Sequence, residues 1–596
     1  MCAIFGVLGE FDEGIAKYAL STMLHRGPDY CGIEQKQNLF FAHQRLSITD
    51  IHSRSHQPLK HNNILLSFNG EIYNYKELRQ KLHFNFQTQS DTEVILAAYL
   101  EWGEEFVKHL RGMFAIALLD GNKLYLFRDR LGKKPLFYMQ QSNFFAFASE
   151  IKALKPFLKQ TKLNNDALLS YLSFLAPTPP HTFYQKIQKL SAGEYLVFEN
   201  NKMEKKHYFE LLEQTPNKHQ THSILTPLLE EAIALRLDSD APMASLLSGG
   251  IDSAILNYYA KRFNKPLMSY TLGYSEFAKY DERENAKESA KLLGVQNKQI
   301  EITQNDFIEA TYKVLDTLDE PLNDPASIPL YLLFEQIKKD GYKVVLSGEG
   351  SDELFLGYRQ YFEYLDIQKA SILMHKNWLK KYFRANFSMN REWEWYKRVF
   401  DESLLFRTSG EKFSDLQKNH LLKQNVRDNQ ALTYLKPYRE RFENSAFEDE
   451  SFWYSYIDLH LFQAEHFLTK LDRVSMAHSI ESRTPFLDHK LVEAVFTLEA
   501  NLRYKNGVTK DILKQMMQGK IDTTILTRKK KGFSNPYMEY LFNSGEISLI
   551  TEVNEQTGMF KKDMLERYMQ SGKKGRFKQH LFGLFVLSYW IKRNLL

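Results

Sequence analysis

Two cysteines, Cys2 and Cys31, are all that the 596 residues contain. Two thiols cannot build a disulfide framework, and neither belongs to a Cys-x-x-Cys metal pair. The scarcity suits a reducing compartment, so a cytoplasmic location is expected, and Cys31 reads as an ordinary small side chain. Long apolar runs are also missing. The longest, Leu581 to Trp590, falls well short of the ~20 residues a bilayer needs and is interrupted by Gly583 and Ser588; it reads as a buried terminal helix, and no membrane partner is expected. The start of the chain has no basic segment followed by an apolar core, as a signal peptide would. Charge of one sign is lacking too: 78 basic against 73 acidic side chains leave only +5, which predicts no nucleic-acid partner. Internal repeats and low-complexity tracts are absent.

What remains is the composition of a globular enzyme, 43% apolar and 25% charged. The length predicts several domains at about 150 residues each, and two large ones fit the grammar: 1–205 and 222–596, joined by a linker rich in Asn200, Asn201, Pro216, Asn217 and lysines. The first part shows short apolar runs between turn residues (Ala3–Val7, Phe40–Ile48, Ile64–Phe68, Met113–Leu119, Lys123–Phe127, Phe144–Phe147), read as antiparallel strands. Helical spacing interrupts them at Ile15–Leu24 and Thr92–Trp102, the second stopped by Gly103. Beyond the linker, strands Met243–Leu247, Leu267–Leu272, Lys298–Ile302 and Lys343–Leu346 alternate with helical patterns such as Asp281–Leu293, which predicts a parallel sheet with covering helices. From about 360 the pattern is helical, and the aromatic-rich stretch Trp378–Trp395 reads as helical core.

Two places carry chemistry. Removal of Met1 would leave Cys2 with a thiol and an α-amine on one residue, and an amine of pKa roughly 7.7–8.0 beside a thiol of about 8.5 can act as its base. That is an N-terminal nucleophile. Ser248-Gly249-Gly250-Ile251-Asp252-Ser253 follows a predicted strand and opens a helix, so glycine N–H groups, hydroxyls and a helix N-terminus can cradle pyrophosphate. Asp252 would be repelled by bare phosphate, which argues for Mg²⁺ between them. Ser347-Gly348-Glu349-Gly350-Ser351-Asp352-Glu353 repeats the logic after another strand, with Asp352 a second candidate ligand. The loop is similar to that of the ATP pyrophosphatases, which cleave ATP between its α and β phosphates, and predicts an adenylated intermediate.

Further motifs are His25-Arg26-Gly27-Pro28-Asp29, Arg45-Leu46-Ser47-Ile48, Phe68-Asn69-Gly70-Glu71-Ile72-Tyr73-Asn74, Ser90-Asp91-Thr92-Glu93, Arg128-Asp129-Arg130-Leu131-Gly132 and Ala148-Ser149-Glu150-Ile151-Lys152. Glu320-Pro321, Leu471-Asp472-Arg473, Pro485-Phe486-Leu487-Asp488 and Arg528-Lys529-Lys530-Lys531-Gly532-Phe533 follow in the second part. From end to end the chain resembles the glutamine-dependent asparagine synthetases, the class-II amidotransferase type. The resemblance implies an αββα N-terminal-nucleophile glutaminase domain, with sandwiched antiparallel sheets, followed by an α/β ATP-pyrophosphatase synthetase domain with a parallel sheet and a helical C-terminal part.

It also implies roles. Cys2 attacks the glutamine amide; the Asn69 side chain and Gly70 N–H form the oxyanion hole; Arg45 takes the substrate carboxylate and Asp91 its ammonium, with Glu71 nearby. An amino acid presents one anion and one cation, so that pair also makes chemical sense unaided. Leu247, Ser248, Gly249, Gly250, Ser253, Leu272, Ser347 and Gly348 hold ATP, Asp252 and Asp352 hold Mg²⁺, Glu349 assists adenylation of aspartate, and Lys530 neutralises phosphate charge. Ammonia then displaces AMP, which requires a shielded path between the sites. A homodimer is expected on the resemblance alone. Two other readings stay open at this point: the same chemistry on a sugar carboxylate of a surface polysaccharide, and a glutaminase or nucleotide-sensing regulator. Gln44, Cys31 and Leu356 depart from the commonest family pattern, and none is a proposed site group.

Overall fold

A computed structural model describes residues 2–217, 219–386, 388, 391–401, 403–405, 412–427, 429–505, 507–529 and 534–596. The first strand, Ala3–Gly9, pairs antiparallel with Leu39–Arg45 on one side and Phe144–Ala148 on the other. These strands belong to a six-stranded sheet, and a second six-stranded antiparallel sheet runs from Lys202–His207 at one edge through Gly112–Asp120 and Ile64–Ile72 to Leu59–His61. The two sheets face each other over alternating side chains such as Ile4, Phe41, Phe147 and Leu126, all fully buried. Helices Glu13–Ser21 and Asn165–Phe174 cover the outer side of the first sheet, and Asp91–Trp102 covers the second. The result is the αββα sandwich.

Gly103 stops Asp91–Trp102 at a positive φ of 55°, as its place in the sequence implied. The expected linker differs in one part. Lys202–His207 is an edge strand zipped onto Glu194–Glu199, and Asn200 and Asn201 form the turn between them at positive φ.

The second part is built on a five-stranded parallel sheet ordered Asn297–Glu301, Met268–Gly273, Met243–Leu246, Val344–Leu346, Glu481–Arg483. Both candidate phosphate loops leave adjacent central strands at their carboxyl ends, where ligands of open α/β sheets bind. The last strand is a correction, because it lies in a stretch expected to be helical throughout. Trp378–Trp395 is another: Trp395 is buried but Trp378 is 65% exposed, and helix Lys376–Ala385 buries none of its residues. The terminal helix Lys578–Asn594 is buried along Leu581–Leu587 as expected.

The two parts are pinned together by buried ion pairs that exchange partners across the boundary. Arg26 reaches Asp472 at 2.8 Å, Arg473 reaches Glu150 at 2.7 Å, Arg111 reaches Asp488 at 2.8 Å and Arg128 reaches Glu465 at 2.9 Å. Several separated sequence motifs therefore meet at one interface.

Candidate functional site

Cys2 immediately precedes the first strand and lines a cavity with Arg45, Gly70, Glu71 and Asp91. Its backbone nitrogen donates to Asn69 Oδ1 at 3.0 Å. Asn69 is fully buried, and its Nδ2 has no hydrogen-bond partner in the protein. A buried amide N–H left over in this way costs free energy unless a ligand accepts it. Gly70 follows on the same strand, and a Cβ there would lie 2.0 Å from the Met113 carbonyl oxygen, so only glycine lets the two backbones approach. Burial pushes the Cys2 thiol up, opposed in part by nearby Arg45.

Arg45 ends its strand with its guanidinium donating to the carbonyl oxygens of His52 at 2.9 Å and Asp50 at 2.5 Å. Those acceptors fix its direction without neutralising it. Asp91 begins helix Asp91–Trp102, and its Oδ2 accepts from Ile72 N at 3.0 Å. Burial pushes its carboxyl up to about 6, against that hydrogen bond and with the charge of Glu481 adding to the effect. Burial also holds the Glu71 carboxyl well above the usual range, opposed by Arg483. Glu71 accepts from Thr49 Oγ1 at 3.0 Å.

Glu481 and Arg483 carry no role in the sequence reading, yet Glu481 lines this cavity from the second part of the chain. They are joined at 2.6 Å, and Arg483 lies 3.5 Å from Glu71. A three-residue strand with charges at alternate positions offers no local signal. Arg26, of the first part, adds a second tie to that side, donating to the Cys2 carbonyl oxygen at 3.0 Å while paired with Asp472 of the second.

In the parallel sheet, Gly249 takes a φ of +77° and a Cβ there would meet Asn285 backbone at 2.9 Å, so the tight turn requires glycine. Ser253 turns back to accept from Ser248 N at 3.2 Å. Arg528 braces the loop from behind through the Gly249 carbonyl oxygen at 2.6 Å. Leu247 and Leu272 are buried at the ends of neighbouring strands. The second loop touches the first: Ser351 Oγ donates to Asp252 Oδ1 at 2.7 Å, and a Cβ at Gly348 would lie 3.0 Å from that of Asp252. Gly348 and Ser351 thus pack the second loop directly against Asp252 of the first.

Lys510, another residue without a motif, lies between the acidic groups at 2.5 Å from Asp252 and 2.9 Å from Asp352. Its ammonium is held well above the usual lysine range because the two carboxylates outweigh burial. A carboxylate pair gathered around one cation suits Mg²⁺, which takes one or two carboxylates and completes its shell with phosphate oxygens and water. No group of three or more His, Cys, Asp or Glu among the described residues forms a cage, so such an ion would depend on the nucleotide. Glu349 lies beside Lys470 at 3.7 Å. Lys530 lies outside the described residues.

Residues 225–592 match the asparagine synthase family. The chain belongs to that family. Residues 1–209 match the glutamine amidotransferase domain. Asparagine synthetase [glutamine-hydrolyzing] 1 of Bacillus subtilis is 32% identical over 565 residues, covering 91% of this chain and 88% of the relative. A putative asparagine synthetase [glutamine-hydrolyzing] of Mycobacterium bovis is 31% identical over 89% of this chain and 85% of its own length. Asparagine synthetase B of Escherichia coli K12 is 34% identical over 60% of this chain and 65% of its own. No described helix is long and apolar enough to cross a membrane.

Proposed function

We propose that this family member is a glutamine-hydrolysing asparagine synthetase with the two crevices as its two active sites. After Met1 removal the α-amine of Cys2 takes the thiol proton, the thiolate attacks the glutamine side-chain amide carbon, and the proton passes to the departing ammonia. Asn69 Nδ2 and Gly70 N–H receive the oxyanion. Arg45 takes the glutamine α-carboxylate and Asp91 its ammonium. Water then cleaves the thioester to release glutamate.

In the second crevice the β-carboxylate oxygen of aspartate attacks the α-phosphorus of ATP and pyrophosphate leaves, with the phosphates cradled by Ser248–Ser253, Ser347 and Gly348. Ammonia attacks the acyl carbon and AMP leaves. Asp252 and Asp352 would hold Mg²⁺, which when bound neutralises phosphate charge. Glu349 stands beside the reacting carboxylate, and Lys530 is the further cation for phosphate.

The observation that carries the reading is a cavity lined by Cys2, a cation in Arg45 and an anion in Asp91, with the unpartnered Nδ2 on Asn69, whose Oδ1 accepts from Cys2 N. That is the outline of an amino acid with a reacting carbonyl. The test is product stoichiometry from glutamine, ATP, Mg²⁺ and aspartate. Equal amounts of AMP, pyrophosphate and asparagine are expected; glutamate without AMP or asparagine overturns the proposal.

A further inference from the structure

Resting on that synthetase reading, a second question arises at Glu349. The reaction brings the acceptor's carboxylate beside it, and two anions in one place require a cation. The structure supplies one that no motif indicates. Lys470 lies on helix Leu468–Met476, which packs against helix Ser327–Lys339. Its Nζ is 2.9 Å from Asp324 Oδ2 and 3.7 Å from Glu349 Oε1. The first distance is a hydrogen bond and the second is not.

Among the described residues, the three N–H donors of Lys470 therefore serve one short contact. Burial works against the ammonium, but Asp324 and Glu349 more than offset it, so Lys470 stays charged. Asp324 is fixed from behind, its Oδ1 accepting from Ala326 N at 3.0 Å. The Phe467 ring lies 5.0 Å from Nζ. Exposure rises across the cluster, from 7% and 9% for the Lys470 and Asp324 side chains to 26% for Glu349. The open end of the cluster is therefore Glu349, on the loop that follows strand Val344–Leu346.

We propose that Lys470 binds the reacting carboxylate of the acceptor. Its ammonium donates to one carboxylate oxygen while the other attacks the α-phosphorus and pyrophosphate departs. In the acyl adenylate the same ammonium faces the carbonyl oxygen that gains negative charge as ammonia adds; collapse then expels AMP and restores the carbonyl. Asp324 is a positioning residue that holds Lys470 at this angle.

The test compares Lys470→Met and Lys470→Arg with wild type for the KM of acceptor, the KM of ATP, acceptor-dependent ATP–pyrophosphate exchange and glutaminase turnover. Lys470→Met is expected to raise the aspartate KM roughly 30-fold or more, the size of one lost charge-assisted contact, and to suppress exchange. The KM of ATP and glutaminase turnover stay near wild type. Lys470→Arg, which keeps the charge, recovers most of the loss. An unchanged aspartate KM in folded Lys470→Met, or an equal rise in the KM of ATP, overturns the proposal. If Lys470→Met fails to fold, the double variant Asp324→Asn/Lys470→Met removes both buried charges and is read the same way. Wild-type protein that forms AMP with a sugar acid instead of aspartate would refute the acceptor assignment, while the variant-to-wild-type ratio on that acid would still decide the role of Lys470.

Discussion

The two crevices are built on opposite plans. In the N-terminal cavity Cys2, Arg45, Asn69, Glu71 and Asp91 are all buried, sit on strands or at a helix start, and in part are oriented by backbone groups. In the parallel-sheet crevice Ser248 is exposed, Asp252, Glu349 and Asp352 are half-buried, and the acids are held by lysines rather than by the backbone. Under the proposed function, a small zwitterion can be met by groups fixed in place, with the unpartnered Asn69 Nδ2 kept for the oxyanion. A nucleotide with its metal and acceptor brings several charges of its own, so the protein's charges must be able to change partners. Rigidity in one site and exchangeable ion pairs in the other follow from what each must bind.

The sharpest way to break the comparison is Cys2→Ala. Glutamine-dependent synthesis should fall by about 10⁴-fold or more, as for loss of a nucleophile, while synthesis from added ammonia remains within a few-fold of wild type. Equal loss of both rates would show that the crevices are not separate sites. Asn69→Ala comes next and removes one oxyanion donor. Its expected cost is roughly 10²–10³-fold in glutaminase kcat, with little change in the KM of glutamine; a rise in KM alone would mean that Asn69 binds substrate in its ground state.

Lys510→Met probes the exchangeable side. It removes the ammonium that bridges Asp252 and Asp352, and the loss of that competing cation is expected to tighten Mg²⁺ binding to the apoprotein. Synthetase turnover should fall about tenfold if the ammonium also stabilises phosphate charge, and glutaminase turnover should stay unchanged. Titration calorimetry with Mg²⁺ decides the point: weaker binding in the variant would mean that the two acids do not form a cation site.

Much of this was legible in the sequence, for reasons that differ by residue. Asn69 and Gly70 stand in one short motif whose role came from the family resemblance, whereas Ser248–Ser253 joins a strand to a helix in consecutive residues, so there local chemistry sufficed for a phosphate-loop expectation. Arg45 and Asp91 were legible once matched to the charges of a free amino acid. Lys470, Lys510, Glu481 and Arg483 were not, because each acquires meaning only from partners tens or hundreds of residues away. Lys202–His207 read as linker because an edge strand can carry charge on its open side, and four of its six residues are charged. Trp378–Trp395 read as core because composition does not tell which face of an amphipathic helix is covered; Trp395 packs edge-on against Tyr364 at 4.8 Å, whereas Trp378 stacks on Tyr382 at the surface.

The gentlest probe of the rigid template is pH. Asp91 must be ionised to receive the glutamine ammonium, and burial has pushed its carboxyl up to about 6, above the ordinary ~3.9. Protonation removes the charge the substrate needs, so below about pH 6 glutaminase kcat/KM should fall about tenfold per unit more steeply than protonation of the Cys2 α-amine alone makes it fall. The loss should appear in KM, since the group acts in binding. Asp91→Asn should remove that extra steepness, leaving the shallower limb of the Cys2 α-amine at a reduced kcat/KM. Ammonia-dependent synthesis follows a different course, because less of the amine is unprotonated at every lower pH and Asp91 plays no part in it. If Asp91→Asn keeps the same acid limb, the titrating group lies elsewhere in the cavity, and Glu71, held above its usual range by the same burial, becomes the residue to replace.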